Sequence, residues 1–169
     1  MEIKNKLNLY EMKNKLSLST LFIVLVISGC TKTSAPIGEM KFPQGSVQHV
    51  VLARDIQWKP SPANMPKSCE MAILEGSPKV NDLFTIRFKV NGEFYLPPHT
   101  HPKDERVTIL QGNAYVGFGK DATRENAKKF GSGDYYVNAR NEIHSVWADS
   151  GTIIQITGIG PWEAHLIEK

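Results

Sequence analysis

From residue 49 onward, apolar and polar positions follow the two-residue period of β-strands. The runs "HVVLARDIQW", "EMAILEG", "DLFTIRFKV", "RVTIL", "NAYVGFG", "DYYVNA", "IHSVWA", "TIIQITGIG" and "WEAHLI" are short and rich in Val, Ile, Thr and aromatic residues. Gly, Pro, Asn and Asp separate them, the residues that turn a chain back on itself. The alternation is cleanest in "DLFTIRFKV", where Phe84, Ile86, Phe88 and Val90 share one face and Thr85, Arg87 and Lys89 the other. Only "DATRENAKK" (121–129) has helical composition, and it sits where a surface loop or short helix would interrupt the strands. Eight or nine short strands in residues 49–169, without alternating helices, predict an all-β domain closed as an antiparallel barrel or double sheet.

The front of the chain follows another pattern. In "MKNKLSLSTLFIVLVISGC", lysines precede an apolar run from Leu21 to Ile27, which is too short to span a bilayer and has the flanks of a secretory signal. The closing "ISGC" resembles the lipobox of bacterial lipoproteins, which implies cleavage before Cys30 and attachment of diacylglycerol to its sulfur. The expected organisation is a lipoprotein signal peptide at 1–29, a lipidated flexible tether at 30–48 and a barrel domain at 49–169. The expected location is extracytoplasmic, with acyl chains holding the protein to a bacterial membrane. Lipidation of Cys30 leaves Cys69 without a disulfide partner.

Charge excludes one class of partner. The formal net charge is +3, but residues 1–29 hold four lysines and two acids, which leaves 16 basic and 15 acidic residues beyond them. No basic block survives, so no nucleic-acid partner is expected.

The candidate chemistry lies in "PPHTHPKDERVTILQGNAY" (97–115). His99 and His101 stand at i and i+2, a spacing that puts both imidazoles on one face of a strand. Glu105 follows a short bend and shares a face with Val107 and Ile109, and Gly112 supplies the next turn. His144 opens a later strand in "GDYYVNARNEIHSVWAD". Three imidazoles and one carboxylate make a borderline donor set for Fe, Mn, Zn, Ni, Co or Cu, with room for one or two open coordination positions.

These residues resemble the motifs of the cupin superfamily. The first motif reads as Gly92, six residues, His99, Thr100, His101, three residues, Glu105, six residues and Gly112, with its first gap one residue longer than usual. The second keeps His144 and departs elsewhere. Ala139 stands where Pro is expected, Asn141 where the second Gly is expected and Ala148 where Asn is expected, with Gly133 and Asp134 at the motif's start. The resemblance spans roughly residues 49–167 and implies a single cupin-type jelly-roll β-barrel with His99, His101, Glu105 and His144 converging on one divalent transition metal.

Two classes of function follow from that resemblance. One is a metal-dependent enzyme acting on a small molecule in the cell envelope, of oxygenase, isomerase or lyase type, with Glu105 loosening to act as a catalytic base. The other is a non-catalytic module that binds a metal or small ligand. Hydrolase motifs such as G-x-S-x-G and H-E-x-x-H are absent from the sequence. Tyr95, Arg87 and Trp58 are expected as pocket residues, Tyr95 because a regular strand would put it on the face of His99. Tyr115 and Tyr136 are weaker candidates, while His49 and His165 lack ligand spacing and are expected on the surface. Apolar strand edges, together with the pairing of single-barrel cupins, lead us to expect a homodimer.

Overall fold

The computed structural model describes residues 36–167. The signal peptide and the lipidation site at Cys30 lie outside the described residues. Eleven strands follow a short 3-10 turn at Ala53–Asp55: β1 Lys59–Pro60, β2 Cys69–Gly76, β3 Leu83–Val90, β4 Phe94–Thr100, β5 Glu105–Gln111, β6 Asn113–Phe118, β7 Lys128–Gly131, β8 Tyr135–Asn138, β9 His144–Ala148, β10 Ile153–Ile159 and β11 His165–Leu166. They form a six-stranded sheet in the order β1-β2-β3-β10-β5-β8 and a five-stranded sheet in the order β11-β4-β9-β6-β7. Every pairing is antiparallel. Among the described residues, no helix is long and apolar enough to cross a membrane.

The alternation read from the sequence explains how the sheets pack. On β3, Phe84, Ile86, Phe88 and Val90 are buried, and they meet Ile154 and Ile156 of β10, Val107 and Ile109 of β5, and Phe94 and Leu96 of β4 in one core. Burying each such side chain stabilises the fold by about 1.5–3 kcal/mol. The opposite parity faces out: Thr85 meets Thr157, and Arg87 Nε donates to Gln155 Oε1 at 2.9 Å. Cys69 is free and buried, its thiol against the Pro66 carbonyl.

The strand expected over 49–58 does not form. Val50, Val51 and Leu52 are three successive apolar residues that cannot share one strand face, and all three are exposed. In the region expected as tether, Gly38 N donates to Asp82 Oδ1 at 2.7 Å. Residues 121–127 run as turns, with Thr123 N bonded to Asn126 Oδ1 in place of helix hydrogen bonds.

One irregularity decides which side chains reach the interior. On β4, Leu96 pairs with Val146 and His99 with His144, so Pro97 and Pro98 together oppose Ser145 alone. This is a β-bulge, a place where residues without an N–H can stand inside a sheet. It exchanges the parity of the strand. Phe94 and Leu96 point inward before the bulge, and His99 and His101 point inward after it.

Candidate metal centre

The three imidazoles converge where β4, β5 and β9 begin or end. His99 lies near the end of β4, His101 just beyond it, Glu105 opens β5 and His144 opens β9. Relative exposure is 1% for His99, 2% for His101, 5% for Glu105 and 0% for His144. One ring nitrogen from each histidine lies within 4.8 Å of the others. Ring centroids are 4.2 Å apart for His99 and His144, 4.8 Å for His99 and His101, and 5.3 Å for His101 and His144.

Backbone carbonyls set the tautomers. His99 Nδ1–H donates to Pro97 O at 2.7 Å, His101 Nδ1–H to Glu163 O at 2.8 Å and His144 Nδ1–H to Glu142 O at 2.9 Å. A neutral imidazole that donates from Nδ1 keeps a bare lone pair on Nε2. Nε2 of His101 and of His144 is buried and finds no hydrogen-bond partner among the described residues. Each faces Glu105 instead, His101 Nε2 at 3.4 Å from Oε1 and His144 Nε2 at 3.7 Å from Oε2. Lone pairs and a carboxylate this close repel one another unless a proton or a cation lies between them. The donor set therefore fits a borderline divalent metal, and the three histidines can hold one.

Electrostatics agrees with that chemistry. Burial drives both His99 and His101 below the ordinary imidazole value, His99 to about 4 with the neighbouring His144 adding to the effect. Burial pushes Glu105 upward, but the facing His101 and His144 outweigh it and bring the carboxyl down to about 2. Asn138, which pairs with Glu105 across β5 and β8 and is 2% exposed, donates Nδ2–H to Glu105 Oε2 at 3.0 Å.

Beneath the cluster lies a cavity with apolar walls from both sheets, including Phe88, Phe94, Leu96 and Ile156. Tyr136 also lines it, its phenol pushed up by burial and by the charge of Glu105. Trp162 completes the wall and stacks on His101, with centroids 4.9 Å apart and planes 14° from parallel.

The pocket residues expected from sequence stand elsewhere. The bulge turns Tyr95 outward, where it is 42% exposed and stacked on Trp147. Arg87 lies on the outer face of β3 against Gln155, and Trp58 lies under Lys89 on the same outer side. None of the three lines the cavity. Tyr115 bonds Asp149 and carries Arg124 over its ring, also away from the cavity. His49 and His165 are exposed. Two polar contributors have no metal-motif spacing to mark them, Asn138 and Trp162. Asn138 could have been found from its parity, since "YYVN" puts it on the inward side with Tyr136. Trp162 carries no such sign, because it reaches the site from the far end of the chain.

No family model matches the chain. Germin-like protein 5-1 of Oryza sativa subsp. japonica is 43% identical over 49 residues, which are 28% of this chain and 22% of that protein, and a second germin-like protein of the same plant is 44% identical over 54 residues. The chain thus spans less than a quarter of the length of these relatives. Among solved structures, the polyketide cyclase RemF from Streptomyces resistomycificus superposes with a TM-score of 0.60 at 15% identity, over 73% of this chain and 87% of that one. An acetylacetone dioxygenase from Acinetobacter johnsonii gives 0.56 at 13%, over 79% and 86%. An RmlC-like cupin from Shewanella frigidimarina gives 0.51 at 12%, over 68% and 94%. With two antiparallel sheets closing over inward-facing histidines, this chain is in fold a cupin.

Proposed function

We propose that His99, His101, Glu105 and His144 hold one divalent transition metal, and that the chain is a metal-dependent enzyme for a small molecule of oxygenase, isomerase or lyase type. The observation that carries this reading is the pair of orphaned, buried Nε2 atoms facing one carboxylate, with every Nδ1–H already committed to a carbonyl. The cyclase and the dioxygenase among the similar structures support an enzyme in this fold class. The bound metal would supply Lewis acidity or, if redox-active, one-electron chemistry.

The chain's own residues prepare the site for that role. Burial favours the neutral form of His99 and His101, the form that ligates. Asn138 fixes Oε2 of Glu105, so Oε1 is the oxygen left to receive a proton from a bound molecule. The apolar walls exclude water, which strengthens every charge interaction inside. In the same reading Cys30 carries the lipid that ties the protein to a bacterial membrane, supported by the "ISGC" stretch. Incorporation of labelled palmitate into the full chain but not into Cys30→Ala tests that anchor, and sedimentation of the purified protein tests the homodimer.

Elemental analysis tests the metal. About one transition metal per chain is expected in the purified protein, with loss in His101→Ala at unchanged circular dichroism. No metal in the wild type after anaerobic reconstitution would overturn the reading. Metal retained without turnover in an oxygen-consumption and isomerisation screen would leave the non-catalytic binding module.

A further inference from the structure

Strands make up most of the cavity's wall, and their ladders hold them in place. Three of the lining residues lie outside the strands: Met65, His101 and Trp162. Two of these are fixed. The His101 ring donates to Glu163 O at 2.8 Å, and Trp162 N donates to Pro78 O at 2.7 Å while its indole packs on Phe84, Phe88 and His101. Met65 differs in its side chain, an unbranched thioether with three rotatable bonds that can change shape without breaking a polar contact. It packs against the core on the inner side, and it also lines a cleft on the surface with Pro60, Ser61, Pro62, Ala63 and Lys67. One residue therefore separates the interior from the outside at this point.

The position in the fold suits an entrance. Met65 lies in the loop between β1 and β2, and the six-stranded sheet ends at β1 as the five-stranded sheet ends at β11. No strand pairing joins those two edges among the described residues. The loop spans the gap instead, with Asn64 Nδ2 donating to Ala164 O, beside β11, at 3.3 Å. Other bonds of the loop are local, as in Met65 N to Pro62 O at 2.9 Å and Ser61 Oγ to Pro66 O at 3.0 Å, so it can shift without disturbing a ladder. We propose that small molecules enter the cavity through the cleft at 60–67, and that the Met65 side chain is the gate whose bulk limits the width of what reaches the histidine cluster. Met65 is then a specificity-determining residue that selects by size at the entrance, apart from any fit to the interior. The inference goes beyond the proposed metal centre and does not need it, since cavity and cleft are features of the chain alone.

The test reads entry in the metal-free protein. The chain has three tryptophans, and replacing Trp58 and Trp147 with Phe leaves Trp162 as the only indole. Acrylamide, a small uncharged quencher, then reports how often a molecule reaches the cavity wall. Met65→Ala is expected to raise the quenching rate constant about fivefold and Met65→Phe to lower it, with Met65→Leu close to the wild type. Phe118→Ala is the control for entry past His144, whose ring lies 5.9 Å from that of Phe118, and should change nothing. No response to Met65→Ala, a rise in Met65→Phe as well (the mark of a loosened barrel), or a larger effect of Phe118→Ala would each overturn the proposal. If Met65→Ala folds poorly, the slowing in Met65→Phe decides the matter. The same order should appear in the rate at which imidazole binds the cobalt-loaded protein, read by visible absorption. If no cobalt binds, the metal centre falls and the quenching order decides this inference; if cobalt binds and the order is absent, this inference falls alone.

Discussion

Each imidazole of the site has its two nitrogens divided between structure and chemistry. The Nδ1–H groups of His99, His101 and His144 hold backbone carbonyls, which leaves the Nε2 atoms to whatever occupies the centre. Glu105 is divided in the same way, with Oε2 on Asn138 and Oε1 toward His101. Replacing Asn138 with Leu frees both carboxylate oxygens and should weaken metal binding about 10–100-fold, measured by chelator competition, with the protein still folded. Acid should act through His99. Its folded value of about 4 lies below the ordinary 6.5, so the unfolded chain binds the extra proton first. Stability of the metal-free protein should therefore be complete above pH 6.5 and fall as the pH drops toward 4, and thermal melts of His99→Asn should show a flatter profile across that window. The ligand spacing was legible because His-x-His with a following carboxylate is a local pattern. The pocket side of Tyr95 was not, because parity had to be counted across Pro97–Pro98, where the strand loses it.

At the level of single elements, the alternating runs coincide with most of the strands; they leave out β4 and β7, and they fail where three apolar residues stand in a row at Val50–Leu52. The bulge in β4 could be suspected from two prolines in a strand, but its consequence depends on the partner. Only Ser145 stands opposite both residues. The loop before β9 accounts for a departure from the cupin pattern. Asn141, where the resemblance expects glycine, has φ of 64° and donates its N–H to His101 O at 2.9 Å. Asparagine tolerates this left-handed backbone better than other non-glycine residues, so the loop keeps its shape without the glycine. Asn141→Gly should leave the melting temperature within a degree or two or raise it. Asn141→Ala should lower stability by about 1 kcal/mol, read by chemical denaturation.

Over the whole molecule, the site joins both sheets: β4 and β9 belong to the five-stranded sheet and β5 to the six-stranded one. A metal held by all three strands would tie the layers together, so its removal with a chelator should lower the melting temperature in proportion to the affinity lost. The last residues close the same end. Ile167 N donates to Pro98 O at 2.8 Å, β11 pairs with β4, and the Glu163 carbonyl orients His101. Truncation after Pro161 should therefore cost metal binding beyond what the loss of two short strand pairs would suggest, checked by elemental analysis of the shortened chain. The barrel and a closing strand at "WEAHLI" could be anticipated from the short strands, whereas the hold of the Glu163 carbonyl on His101 could not, because no spacing links it to a residue about 60 positions earlier.

The origin of the three carbonyls also fixes an order of events. Those that hold His99 and His144 come from Pro97 and Glu142, each two residues upstream of its own histidine, so both rings are set as soon as their loops form. The carbonyl that holds His101 comes from Glu163, 62 residues downstream. A growing chain can therefore display two prepared imidazoles while the third is still free to turn. That third ring is fixed only when residues 163–167 have been made and have docked, so of the three imidazoles His101 is the one set last.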